Sequence, residues 1–439
     1  MHLRVASLLL FACAGLAGEH EGYRLLTEKA YLHPDFDQET FDAVWQEWPE
    51  PLRSRAAKAT PEERRRMAFA RYGLTDRGEG KPLQYVVTEQ GGWAMNCFAC
   101  HGGQVAGRAI PGLPNTNLAL ETLTVEIRRT KARLKKPFGR MDLGQFFLPL
   151  GGSTGTTNAV VFSAALADLR DKDLNRVPRI APPNFVHHDL DAPPWWHFRR
   201  KERLYMDGLV ERGHRSLMQF LLVPANGPEK LRAWERDFET IAAYLETLEP
   251  PKWPGAIDAD LAGRGRRVFR RNCSSCHGVY GANPSYPNRE VPLAEVGTDP
   301  VRLKALTKGQ REWFAQSWFT RYGKKRAGVD PKGYVAPPLD GIWASAPYLH
   351  NGSVPTLWHL LHPDKRPKVW RRTPEGYDER RVGLEVAEFE SIPDDVRDPH
   401  ERRGYFDTGV YSKSAAGHDF PAELSKEQRR ALLEYLKSL

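Results

Sequence analysis

Apolar side chains recur at the spacing of an amphipathic helix in three stretches of this 439-residue chain, 238–248, 257–269 and 424–439. The first stops at Pro250-Pro251-Lys252-Trp253-Pro254-Gly255, a cluster no helix can cross, and so divides the chain near 255. Strand signals are few and short, at 84–88 and 159–162, while 34 prolines and 37 glycines punctuate the rest. The pattern predicts a mainly α chain with long loops and few short strands. The only long apolar run, 6–18, follows His2 and Arg4 and is shorter than the roughly 20 residues a membrane span requires. It reads as a signal peptide over 1–18, with Gly15 and Ala17 offering a cleavage site, and places the mature chain in the periplasm. Leu10-Phe11-Ala12-Cys13 also resembles a lipoprotein box, so a membrane anchor is expected only if Cys13 is lipidated.

Two segments resemble each other across the 255 boundary. Ala243-Tyr244-Leu245-Glu246-Thr247-Leu248 and Glu434-Tyr435-Leu436-Lys437-Ser438-Leu439 each close one half, which predicts an N-terminal domain over 19–254 and a C-terminal domain over 255–439 of similar plan. A composition 41% hydrophobic and 27% charged is that of a globular protein. The formal charge of +9 is spread along the chain, in Arg64-Arg65-Arg66, Arg199-Arg200-Lys201 and Lys324-Lys325-Arg326, with no aromatic-interleaved stripe. Nucleic acid is therefore not expected as a partner; basic faces of this kind suit an acidic redox protein.

Cysteine usage adds the chemistry. Apart from Cys13, the cysteines form Cys97-Phe98-Ala99-Cys100-His101 and Cys273-Ser274-Ser275-Cys276-His277, which leaves none for a structural disulfide. Two thiols one helical turn apart can add across the two vinyl groups of a haem, and the next residue brings an imidazole under the iron. A zinc site or a dithiol would not need a histidine after both pairs. The expectation is two covalently bound haem c groups, anchored at Cys97 and Cys100 and at Cys273 and Cys276, with His101 and His277 as iron ligands. The sixth iron position separates electron carriers from sites that bind peroxide or dioxygen. All six methionines precede residue 219, so the second site would look to His350, His418 or a tyrosine. The first motif is followed by no histidine from 102 to 186, which reads as an open site, although His187, His188, His197, His214, Met141, Met206 or Met218 could reach back.

The stretch from Ala336-Pro337-Pro338-Leu339-Asp340-Gly341 through Tyr348-Leu349-His350-Asn351-Gly352 to Leu357 resembles the segment shared by bacterial di-haem cytochrome c peroxidases and their relatives. Phe406-Asp407-Thr408-Gly409, Ala415-Ala416-Gly417-His418-Asp419-Phe420, and the first motif with its tail through Pro114-Asn115-Thr116 are most similar to the rubber-oxygenase-like branch. The resemblance implies two cytochrome c-like domains, an N-terminal haem that meets peroxide or dioxygen, and a C-terminal haem that exchanges electrons with a small redox protein. It makes His418 the first choice for the second distal ligand, leaving His350 a structural role. It also places Trp195 and Trp196 near the first haem or between the two as candidate electron-relay residues, with ordinary packing as the equal alternative. The peroxidases carry a capping histidine shortly after the first motif; this chain has Asn117 and its neighbours instead. Three activities follow: a peroxidase-like oxidoreductase, a pure electron carrier, or a dioxygenase of an unsaturated hydrocarbon.

Overall fold

The computed structural model describes residues 20–146, 152–178, 186–321 and 328–439. The signal-peptide reading and Cys13 lie outside the described residues. The chain is mainly helical, with 43% helix and 13% strand.

Each half contains a pair of crossed helices locked by a glycine. In the C-terminal half, Ala259–Asn272 starts where Asp258 Oδ1 accepts Leu261 N–H at 2.9 Å, and Lys426–Lys437 starts at a Ser425/Gln428 capping box. They cross at Gly265, where a Cβ would lie 2.0 Å from Ala431 O and 2.8 Å from Tyr435 Cβ. Leu261, Phe269, Leu432, Tyr435 and Leu436 bury the contact. In the N-terminal half, Glu21–Glu28 packs on Glu235–Thr247 with Gly22 at the crossing, where a Cβ would lie 2.4 Å from Tyr244 Cβ. The tyrosines of the two similar segments, Tyr244 and Tyr435, thus do the same job against a glycine.

The helices expected at 238–248, 257–269 and 424–439 are present as Glu235–Thr247, Ala259–Asn272 and Lys426–Lys437. The strand expected at 84–88 is Tyr85–Val87. The expected strand at 159–162 is instead the start of the helix Ala159–Ala167. Its Val-Val pair favours a strand, but the alanines that follow are strong helix formers and one buried helix absorbs both. Further along, the chain makes one α turn, His214–Leu217, followed by a 3-10 turn, Met218–Leu221. The strands are also not all short: Val369–Asp378 and Gly383–Phe389 form an antiparallel hairpin, joined by Tyr405–Asp407, on which Trp370 stacks flat against Phe406 at 5.0 Å.

The halves interlock. Leu306, Phe314, Trp318 and Phe319 pack into the core built around Phe98, Trp195 and Phe238, while Leu113 and Trp196 pack into the core built around Phe269, Trp343 and Leu436. A further core, with Phe36, Phe41, Trp48, Phe69, Tyr72 and Trp93 at its centre, fills the long stretch between the first helix and Cys97. Its strand Gly92–Met95, between Phe36–Asp37 and Tyr85–Val87, leads directly into the first motif.

Candidate functional site: two Cys-x-x-Cys-His centres

Both motifs fold the same way. Phe98–His101 and Ser274–His277 are single helical turns, which bring each cysteine pair to one side and the histidine to the next position. Neither pair is joined as a disulfide. Burial, together with the neighbouring thiol, pushes Cys97 and Cys273 up to about 12, so both are thiols rather than thiolates.

The second centre is fully assembled. His277 Nδ1 lies 2.8 Å from Pro337 O, which as an N–H···O bond fixes the proton on Nδ1 and leaves the Nε2 lone pair free to bind a metal. Across from it stands His418, with ring centroids 6.1 Å apart. Two metal–nitrogen bonds of about 2.0–2.1 Å plus the inner halves of two imidazoles span roughly 6 Å, so the pair fits an iron ion held between them. His418 has a backbone φ of +52°, follows Gly417 at +80°, and donates its N–H to Val296 O at 2.6 Å. Arg366 clamps the loop by donating from Nη1 to Ala415 O at 2.6 Å and Gly417 O at 2.7 Å. His350 is elsewhere, its ring 4.4 Å from that of Tyr334 and tilted 30° to it.

The first centre differs. The Pro193 carbonyl faces His101 Nδ1 outside hydrogen-bond geometry, and the ring stacks on Trp195 with centroids 4.7 Å apart and an interplanar angle of 27°. The neighbouring Trp196 is 1% exposed and donates from Nε1 to Asp340 O at 2.7 Å. Asp340 lies three residues beyond Pro337, so the two adjacent indoles span from the His101 ring to the loop that holds His277. Their carrier, Trp195–Arg200, is a 3-10 turn.

Family comparisons match this second region. Residues 260–333 match the cytochrome c family described as "Cytochrome C oxidase, cbb3-type, subunit III", and residues 333–371 match the one described as "RoxA-like, cytochrome c-like". These segments are cytochrome c-like. A cytochrome c-like domain implies covalently bound haem c, and Cys273, Cys276 and His277 lie inside the first matched range. Two proteins of Sinorhizobium fredii, both described as uncharacterized, are also similar. The one called y4iM is 28% identical over 56% of this chain and 64% of its own length; y4iJ is 29% identical over 44% of this chain and 41% of its own length. The chain thus spans less than two thirds of either relative.

The other histidines singled out in the sequence each have polar partners of their own. His187 lies 3.2 Å from Asn158 Nδ2 and 3.6 Å from Asp189; His188 Nδ1 is 2.9 Å from Val186 O; His197 Nε2 is 3.0 Å from Asp340 O; His214 pairs with Glu235 at 3.0 Å. Met218 is buried in the core, and Met141 packs beside Ala99 and Cys100. Gln219 bonds Tyr205 and Ser163. Burial lowers both motif histidines, His101 to about 4, so a cytochrome c-like centre here starts from neutral imidazole, the form that binds iron.

Sequence reasoning missed the Pro337 clasp, the Pro193 carbonyl facing His101, and Arg366. The signal for the two prolines was present: Ala192-Pro193-Pro194 and Ala336-Pro337-Pro338 are the same tripeptide, each presenting its first proline carbonyl to a motif histidine.

Proposed function

We propose that this protein is an exported di-haem c-type cytochrome oxidoreductase with two unequal haems. In this reading the haem anchored at Cys97 and Cys100 under His101 supplies the reaction with peroxide or dioxygen, and the one anchored at Cys273 and Cys276, between His277 and His418, supplies electron exchange with a small redox protein. The observation that carries the reading is the inequality of the two histidines. His277 faces an imidazole at 6.1 Å, whereas the aromatic ring against His101 is an indole, and the four histidines of 187–214 each have a polar partner of their own.

The chain's own residues divide the work. Pro337 holds the His277 proton on Nδ1, and Arg366 with Gly417 holds His418 in place. Trp195 orients His101 by stacking. Trp195 and Trp196 offer an aromatic path from His101 to the Asp340 loop, and the buried Trp196 is anchored there by its hydrogen bond. Export rests on the apolar run at 6–18.

Optical and electron-spin spectra of the purified protein, oxidised and reduced, test this directly. One low-spin haem and one that binds cyanide, peroxide or oxygen are expected. Two low-spin signals indifferent to all three ligands would make it an electron carrier instead. Oxygen consumption only with an unsaturated hydrocarbon present would move it to the dioxygenase reading.

A further inference from the structure

At the junction of the two halves, two arginines are buried with more donors than acceptors. Arg302, on Val301–Ala305, is 1% exposed and donates from Nη2 to Asp207 Oδ1 at 3.0 Å; Arg311, on Lys308–Gln316, is 3% exposed and lies with Nη1 2.9 Å from Asp207 Oδ2. One carboxylate is thus bracketed by two guanidinium groups. Arg302 Nε and Nη1 are buried with no acceptor among the described residues. The other buried carboxylate of the region, Asp299, spends its oxygens on the backbone N–H of Val301, at 2.9 Å, and Ser414, at 3.2 Å. His188 and His350 are buried near enough to feel the Arg302 charge, and burial, with Arg302 adding to it, lowers His188 to about 4 and His350 to about 3, so neither competes as a cation at neutral pH. Each unmet donor of a buried guanidinium carries a desolvation penalty, which an arriving anion removes.

We propose that Arg302, backed by Arg311, holds a carboxylate, and that this carboxylate is a propionate of the haem anchored at Cys273 and Cys276. The location argues for that haem. Tyr334, which packs on His350, is three residues before the Pro337 that clasps His277; Val296, whose carbonyl holds the His418 backbone, is six residues before Arg302. The segments carrying the pocket are therefore continuous with both the near and the far side of the His277–His418 pair. His188 and Asp207 come from the N-terminal half, so the same carboxylate would tie the halves together. This assignment rests on the two-haem reading above.

A free carboxylate or phosphate ion shares the chemistry, and the test separates the two sources. Haem content by pyridine haemochrome and a haem-stained gel comes first: one covalent haem in the wild-type chain would sink the two-haem reading independently of this proposal. Spectroelectrochemical titration of the holoprotein then compares wild type, R302Q, R302K and D207N. Removing a cation beside a haem favours the ferric state, so R302Q should lower the potential of the low-spin haem alone, R302K should preserve it, and D207N should raise it. Adding phosphate or acetate should leave wild-type potentials unchanged; a saturable shift would assign the pocket to a free anion. The proposal is overturned if R302Q keeps both haems with both potentials unmoved. Should R302Q fail to fold, an unmoved potential in D207N overturns it equally.

Discussion

His418 sits in left-handed backbone at φ +52°, a conformation that costs a non-glycine residue on the order of 1 kcal/mol. Histidine tolerates that region better than most residues, and the fold holds it there through Val296 O and the Arg366 clamp. His418→Ala should convert one haem from low-spin to high-spin, while His350→Ala leaves the spin state unchanged; electron-spin spectra of the two variants decide. Arg366→Gln should leave His418 present but less firmly aimed, seen as a mixture of spin states. Other buried histidines set the acid limit of the fold. His197, His359 and His400 are lowered by burial to about 3, 4 and 4, below the unfolded value near 6.5. The unfolded chain then binds more protons, so their contribution is fully present above about pH 6.5 and is lost as pH falls toward 4. Asp35 works the other way in the same window: burial raises it to about 7, so its contribution is present below the unfolded value and lost as pH rises to 7. Burial raises Asp191 and Asp340 in the same sense, and the three histidines, joined by His188 and His350 at about 4 and about 3, outweigh these carboxyls. The urea midpoint should fall from pH 7 to pH 4.5, and His359→Gln should flatten that fall.

At the scale of elements, the two glycine-locked crossings set tolerance to substitution. Gly265→Ala would drive a methyl to 2.0 Å from the Ala431 carbonyl, backbone that cannot move aside, and should destabilise the C-terminal half by about 1–3 kcal/mol. At Gly263, two residues earlier in the same helix, an added Cβ would meet nothing within 4 Å, so Gly263→Ala should stabilise by about 0.5–1 kcal/mol. Denaturant titration of the two variants should give shifts of opposite sign. These crossing helices were legible because a long 3.6-residue period is the strongest local signal a chain carries. Ala159–Ala167 was not, since four residues centred on the Val160-Val161 pair satisfy a strand and a buried helix alike. The hairpin Val369–Asp378 with Gly383–Phe389 escaped because Arg371, Arg372, Glu385 and Glu388 interrupt its apolar alternation; it is held by pairing, as between Trp370 and Phe406, which no local window contains. The site divides in the same way. Cysteines and histidines announce themselves by spacing, and His418 by its surrounding motif. Pro193, Pro337, Arg366 and Arg302 act through contacts far along the chain, or at the junction between halves, and their residue types alone say nothing of it.

For the whole molecule, the question is where electrons enter. The helix Ala259–Asn272 turns Arg264, Arg266, Arg267, Arg270 and Arg271 outward immediately before Cys273, and none of the five has an ion-pair partner among the described residues. On the other side of the same centre, Phe420 is 44% exposed and stands edge-on to His418 at 5.4 Å. On the proposed reading, a basic rim beside an exposed aromatic against His418 would serve an acidic electron-transfer protein, because unpaired surface charge raises the rate of encounter by about 10–1,000-fold and fades as salt screens it. At the first centre, Trp195 stacks on His101 and itself belongs to a buried core. Reduction by a photoreduced acidic flavodoxin should therefore be fast at low ionic strength and slow steeply with added salt. The R267E/R271E double variant should lose at least about tenfold in that rate, together with its salt dependence, while a small neutral reductant reduces it as fast as wild type. Equal flavodoxin rates for variant and wild type would place electron entry elsewhere on the molecule.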